Sequence, residues 1–275
     1  MRLLEMSSTR RLMLWFFDDP SGDPYVSVNF DVDITPLRNF LDAFEREHAE
    51  RITIQHVVTK AVAKCLAEVP ALNVKIMGRR LHALDRVDIA MPVHLDTSGS
   101  RDETGMVIVR SVDRLSLLEV ANATRRTTRE ERGGTASMSG SAFARKAMRA
   151  LPNALLHPTL GALSWLMSHA SVYQLLEDHI GISSAVTNVG SVVALPKGAR
   201  FHGASATIPC KFGHLASVFA VAPTQVAAVV EDGSVSTRTV LPLVMIVDHR
   251  AIDGVLMGVA VTRVVEALLN PATLV

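Results

Sequence analysis

Cysteine is scarce in this chain: Cys65 and Cys210 are the two thiols in 275 residues. That excludes a disulfide framework, and both are expected to be buried thiols in a reducing, cytoplasmic setting. Net charge is nearly absent as well, since 28 Lys and Arg face 27 Asp and Glu for a formal +1. The two signs are mixed along the chain with no long single-sign block, so the footprint of a nucleic-acid binder is missing. No internal repeat is found, which removes solenoids and propellers. A secretory leader is not expected either. The N-terminal apolar run LMLWFF is shorter than a signal-peptide core and runs into Asp18 and Asp19.

What is present is the composition of an ordinary globular protein, 48% hydrophobic and 20% charged. Charge is missing locally in one place. The segment ALPNALLHPTLGALSWLMSHASVYQLL, residues 150–176, contains no Asp, Glu, Lys or Arg. By count it is long enough to cross a bilayer. Pro152, Pro158, Gly161, His157, His169 and several serines interrupt it, however, and would leave polar groups unpaired in hydrocarbon. Two short buried helices are expected, with a membrane-surface or apolar-ligand role as the alternative.

Periodicity gives the remaining elements. PYVSVNFDVDI alternates like a strand; Thr35 and Pro36 then supply an N-cap and first turn, with Leu37, Phe40, Leu41 and Phe44 on one helical face. Thr53 signals a second helix carrying Ile54, Val57, Val58, Ala61, Val62, Cys65 and Leu66, ending before Pro70. LHALDRVDIAMPVHLD and TGMVIVRSV flank a polar connection as a hairpin or neighbouring strands, and SLLEVANATRRTTREERGG reads as a helix with a polar face. After a turn-rich linker and the charge-free segment come SSAVTNVGSVVALP, QVAAVVEDGSVSTRTVLPLVMIV with a hairpin turn at Asp232-Gly233, and a terminal helix after Gly254. The pattern is α+β.

One polar cluster interrupts the apolar C-terminal region: Asp248, His249, Arg250 and Asp253, in LPLVMIVDHRAIDGVLMGVAV. Charged groups wedged between core-like segments form either an ion-pair knot or an active site. Imidazole can take a proton near neutrality, which makes His249 the candidate base. Asp253 follows four residues later, a spacing that shares one face if the turn is helical and suits an orienting group or an ion-pair partner. Gly254 is expected to let the backbone turn into the next helix.

DHRAIDG, preceded by LPLVMIV and followed by a long apolar helix ending NPATLV, resembles the C-terminal signature of the catalytic domain of dihydrolipoamide acyltransferases, the core components of 2-oxoacid dehydrogenase complexes. TNVGSV is similar to the family's Ser/Thr-Asn-Leu-Gly stretch, and AVAKCLAEVPALNVKI to its helix ending in Pro-x-Leu-Asn. VDIAMPV with TGMVIVRSVDRLSLLEVA resembles the strand pair and helix between them. Together these matches span most of Thr35 to Val275. The resemblance implies a chloramphenicol acetyltransferase-like two-layer α+β sandwich, a mixed sheet with packed helices, as a single catalytic domain over residues 1–275 with a helical apolar insertion at about 140–180. It implies His249 as the general base that deprotonates a thiol or hydroxyl acceptor for attack on acyl-CoA. Thr187 would donate to the tetrahedral oxyanion, and Asp253 would be a structural aspartate paired with an arginine, with Arg10 or Arg11 proposed. Coenzyme A enters as a substrate; no metal and no covalent lipoyl group are expected in this chain. A small-molecule or lipoyl-type acceptor is implied, as is a homotrimer or higher assembly of trimers whose channel runs between neighbouring subunits.

The chain also departs from the family pattern. It begins almost at once with the catalytic-domain pattern, without lipoyl or subunit-binding domains, and it inserts residues 150–176 before TNVG. That insertion would line a pocket for a longer acyl chain or hydrophobic acceptor, or else add core or trimer packing. Three function classes follow: a free-standing CoA-dependent acyltransferase, favoured by His249, Asp253 and Thr187; a non-catalytic trimeric scaffold of the same fold; and a carrier-dependent enzyme forming esters or amides.

Overall fold

Strand β10 (Ser234–Asp248) organises the molecule. In the computed structural model, residues 2–3, 24–77, 80–94, 104–133, 181–193, 195–196, 198–206, 208 and 214–275 are described, with isolated positions between 155 and 172. The first half of β10 pairs antiparallel with β9 (Gln225–Glu231). Its second half lies between β2 (Tyr25–Asp33) and β8 (Ser217–Val221), antiparallel to both. The sheet continues through β7 (Ser184–Asn188), β5 (Ile89–His94) and β6 (Thr104–Val109), in the order β2-β10-β8-β7-β5-β6. Only the β7 pairings with β5 and β8 are parallel, so the sheet is mixed. A smaller sheet joins β1 (Arg2–Leu3), β4 (Arg80–Ala83) and β3 (Val74–Met77) in the order β1-β4-β3. The segment LHALDRVDIAMPVHLD is therefore divided between two sheets.

Residues 240–248 are buried without interruption, as expected for a strand covered on both faces. Side chains of a strand alternate between faces, and each face here has its own cover. Leu241, Leu243, Met245 and Val247 join the core built with the helices, whereas Val244 and Ile246 join a second cluster with Ile208, Leu215, Phe201 and Ala204. The helical layer comprises α1 (Thr35–His48), α2 (Ile54–Glu68), α3 (Leu117–Arg132) and α4 (Gly254–Leu269). The opposite face is covered by chain from residues 198–208. Tyr25 Oη donates to the Ile208 carbonyl, the Gln225 amide holds both backbone groups of Phe201, and Asn29 accepts from Ala204 N–H.

Local chemistry explains the helix starts. Thr53 caps α2 in a reciprocal box whose other member is His56, and Ser116 with Glu119 does the same for α3. Thr35, expected as an N-cap, is instead the first residue of α1. The Asp33 carboxylate accepts from its N–H at 2.8 Å and from its hydroxyl at 2.7 Å, so the capping oxygen comes from two residues upstream. Asp232 and Gly233 have φ of 50° and 77°, the left-handed pair that a two-residue hairpin turn requires.

Within the charge-free segment, Leu155, Trp165 and Leu166 are helical and 57%, 66% and 44% exposed. The burial expected there is not met at these positions, nor at Pro158, Ala162 and His169, which are exposed, while Val172 is half-buried; the remaining residues of the insertion lie outside the described ones. No helix among the described residues is long and apolar enough to cross a membrane. Cys65 is buried, and burial pushes its thiol up to about 12; Cys210 lies outside the described residues.

Candidate active site

The end of β10 becomes a tight turn because one carbonyl takes two donors: Ala251 N and Ile252 N both lie 2.9 Å from the Asp248 oxygen. Asp248 itself is fully buried. Its carboxylate accepts from Arg250 N at 3.0 Å, from Arg250 Nη2 at 2.7 Å and Nε at 3.0 Å, and from His214 Nε2 at 2.7 Å. Burial opposes this charge, yet the His214 and Arg250 hydrogen bonds outweigh it and hold the carboxyl down at about 2. The first aspartate of the motif is thus the buried anchor of the turn.

His249 hangs from that anchor. Its backbone N–H donates to the Pro24 carbonyl at 2.8 Å, and its ring Nδ1 lies 3.0 Å from the Ile252 carbonyl. A carbonyl can only accept, so Nδ1 carries a proton, and in the neutral ring the lone pair is on Nε2. The orienting group of Nδ1 is therefore a backbone carbonyl, so of the two roles expected for Asp253, orienting group or ion-pair partner, the first falls to Ile252. The turn is not helical between residues 249 and 253, so the two side chains do not stack as on a helix face. Asp253 caps α4 instead, its Oδ1 accepting from Leu256 N at 3.0 Å. It fixes where α4 starts, and with it the Ile252 carbonyl beside the ring. Arg10 and Arg11, proposed as its partners, lie outside the described residues. Gly254 has no left-handed φ, and a Cβ there would meet open space, so the turn does not depend on glycine.

Thr187 is half-buried near the end of β7. Asn188 behind it accepts from Ser191 N and donates to Gln55 Oε1, tying the stretch to α2. A Cβ on Gly190 would stand 3.0 Å from backbone atoms of Ala222 and Pro223, so this glycine is required by close backbone approach. Thr187 does not meet His249 within one chain. Thr187 pairs with Ala220, and Ala220 with Val244, five residues short of His249; at the usual strand rise and spacing that is on the order of 15 to 20 Å.

His214 had no sequence signal. It stands 34 residues before Asp248 in no motif, and only the fold joins the two. Lys75 lies inside the stretch AVAKCLAEVPALNVKI but has no signal of its own there. It is buried, donates to the Ile182 carbonyl, and is lowered by burial to about 7. The two described cavities, about 560 and 190 Å³, lie around Lys60, Lys64 and Thr273, and none of the three candidate residues lines them.

Comparison with known proteins places this geometry. The family model described as 2-oxoacid dehydrogenases acyltransferase (catalytic domain) matches residues 4–144 and 203–275. The chain belongs to that family. The motif around His249 falls inside the second matched stretch, while Thr187 falls between the two. A curated relative is the dihydrolipoyllysine-residue succinyltransferase component of the 2-oxoglutarate dehydrogenase complex of Bartonella vinsonii subsp. berkhoffii, 23% identical over 240 residues, 86% of this chain and 45% of the relative. The chain thus spans about half the length of that relative. Among solved structures, Azotobacter vinelandii dihydrolipoamide acetyltransferase superposes with a TM-score of 0.64 at 18% identity, over 100% of this chain and 93% of its own. A chloramphenicol acetyltransferase gives 0.54 at 16%, over 97% and 99%. The acyltransferase family member therefore has the expected chloramphenicol acetyltransferase-like α+β fold.

Proposed function

We propose that this chain transfers an acyl group between a CoA thioester and a thiol or hydroxyl acceptor, with His249 as general base. The observation that carries this reading is the Nδ1 to Ile252 carbonyl hydrogen bond, which leaves Nε2 as the basic nitrogen. Nε2 takes the acceptor proton, the resulting thiolate or alkoxide attacks the thioester carbonyl, and a tetrahedral oxyanion forms. The C–S bond to CoA then breaks, and the CoA thiolate recovers the proton from Nε2.

Thr187 is the proposed oxyanion donor, and its distance from His249 within a chain assigns that role to a second copy. The active site is then a channel between subunits of a trimer, with CoA and the acceptor entering from opposite ends. One solved relative is the Azotobacter vinelandii dihydrolipoamide acetyltransferase. A serine, a histidine and an asparagine were studied for its catalytic mechanism, the last two four residues apart as His249 and Asp253 are.

The test is transfer from a panel of short, branched and long acyl-CoAs to dihydrolipoamide, read by mass spectrometry with hydrolysis scored separately. Transfer by the native protein that disappears in His249→Ala, while fold and CoA binding persist, is the expected result. No transfer from any donor together with no CoA binding rejects the CoA-dependent reading in favour of a scaffold or a carrier-dependent enzyme.

A further inference from the structure

The site turn is tied to the rest of the molecule by a residue outside the motif. His214 is 4% exposed and lies just before β8. Its Nδ1 faces the backbone N–H of Ile76 in β3 at 3.4 Å, and its Nε2 faces the Asp248 carboxylate at 2.7 Å. The first contact demands a lone pair on Nδ1 and the second a proton on Nε2, so the geometry admits one neutral tautomer. An imidazolium there would set two N–H groups against each other at Ile76. Burial lowers the basicity of His214 in the same direction, against the pull of Asp248, with Lys75 and Arg250 adding to the lowering.

A relay of fixed hydrogen bonds results. Ile76 N–H points at His214, His214 donates to Asp248, and the Asp248 carbonyl folds the turn by accepting from Ala251 and Ile252. The Ile252 carbonyl in turn accepts from Nδ1 of His249. Arg250 also holds Asp248, from within the turn. Among the described contacts of the Asp248 carboxylate, His214 is the one that anchors it to a different part of the fold, the small sheet containing β3.

Resting on the acyl-transfer reading above, we propose that His214 is a positioning residue of this active site: through Asp248 it holds the Ile252 carbonyl where it selects the Nε2-basic tautomer of His249. Without the His214 donor the turn relaxes, the Nδ1 hydrogen bond loosens, and His249 divides between its two tautomers. The loss falls on kcat, because a base displaced by a fraction of an ångström still permits binding but misaligns proton transfer.

The test compares native protein, His214→Leu and His214→Gln by imidazole 15N NMR and by transfer kinetics. In native protein His214 is expected neutral with the proton on Nε2, and the neutral form of His249 is expected with its proton on Nδ1. In His214→Leu the His249 nitrogen shifts move toward tautomer averaging, and kcat falls roughly tenfold to a hundredfold with KM for acyl-CoA within about twofold. His214→Gln, whose amide can donate to Asp248, recovers most of kcat and restores the His249 shifts. A His214 found in the other tautomer or charged in the native protein overturns the proposal, as do unchanged His249 shifts and kcat in a folded His214→Leu. Equal loss in both variants with His249 shifts unmoved overturns it too, by reducing His214 to a structural role. The native-protein spectrum decides even if the leucine variant does not fold. Because the tautomer readout needs no substrate, failure of the general-base reading, seen as activity surviving in His249→Ala, is separable from failure of this one.

Discussion

A histidine serves as a base only while one ring nitrogen keeps its lone pair, and at His249 a single backbone carbonyl decides which one does. The same residue-scale logic separates the roles of the other motif groups. Asp253 caps α4, and asparagine is itself a good N-cap, so Asp253→Asn is expected to keep the stability that the cap contributes. Asp253→Ala should lose about 1 kcal/mol of stability, measured by chemical denaturation, and with it part of kcat as the Ile252 carbonyl loosens. As the proposed oxyanion donor, Thr187 would be needed for its hydroxyl. Thr187→Ser should therefore stay within a few-fold of native kcat, whereas Thr187→Val, which keeps the shape and removes the donor, should fall about a hundredfold. Equal activity in the valine variant would remove Thr187 from the mechanism.

At the scale of elements, the start of α2 carries a pH dependence of its own. Thr53 N–H donates to Nδ1 of His56, which must therefore stay unprotonated, and burial with the nearby Arg125 charge pushes this imidazole from 6.5 down to about 4. Above pH 6.5 the folded and unfolded chains are alike at this residue. As pH falls toward 4 the unfolded chain binds a proton that the folded one refuses, so stability is lost across that window, by up to about 3 kcal/mol. His56→Gln, keeping an acceptor in the capping box, should show a shallower decline in denaturation midpoints between pH 6.5 and 4 than native protein. Below that, the Asp248 contribution is lost only as pH drops from 3.8 toward about 2. Elements of this kind were legible wherever the cause is local: the Thr53 cap, the Asp232-Gly233 turn and the helical face of Leu37 and Phe44 can be read from neighbouring residues. The start of α1 was misplaced by reading Thr35 without Asp33. Strand β8 and His214 were not read at all, because their identity depends on partners in β10, β7 and β3 that lie far away in sequence. Gly190 was seen as part of a motif, but its reason, the backbone of Ala222 and Pro223 at van der Waals distance, exists only in the fold. Gly190→Ala should cost about 1 to 3 kcal/mol by pushing the turn after β7 away from the Ala222 and Pro223 backbone that follows β8, which thermal unfolding would register.

The whole molecule poses the question of where the two halves of the chemistry meet. His249 leaves the end of β10 while Thr187 sits two strands away and well down the sheet, so a single chain offers the proposed base and the proposed oxyanion donor at separate places. Assembly of copies brings them together if the His249 face of one subunit abuts the Thr187 face of the next. This arrangement has a consequence that no single-chain site shares. His249→Ala and Thr187→Val are each expected to be inactive or nearly so as pure assemblies, yet denaturing and refolding them together at equal amounts should create mixed forms of the proposed trimer. In these, an interface that takes His249 from one variant and Thr187 from the other is intact. Random mixing makes roughly a quarter of interfaces of that kind, so about a quarter of native transfer activity should return, and none should return when the two are mixed without subunit exchange. Were both residues to act within one chain, every copy in the mixture would still carry a lesion, and activity would remain at the level of the separate variants.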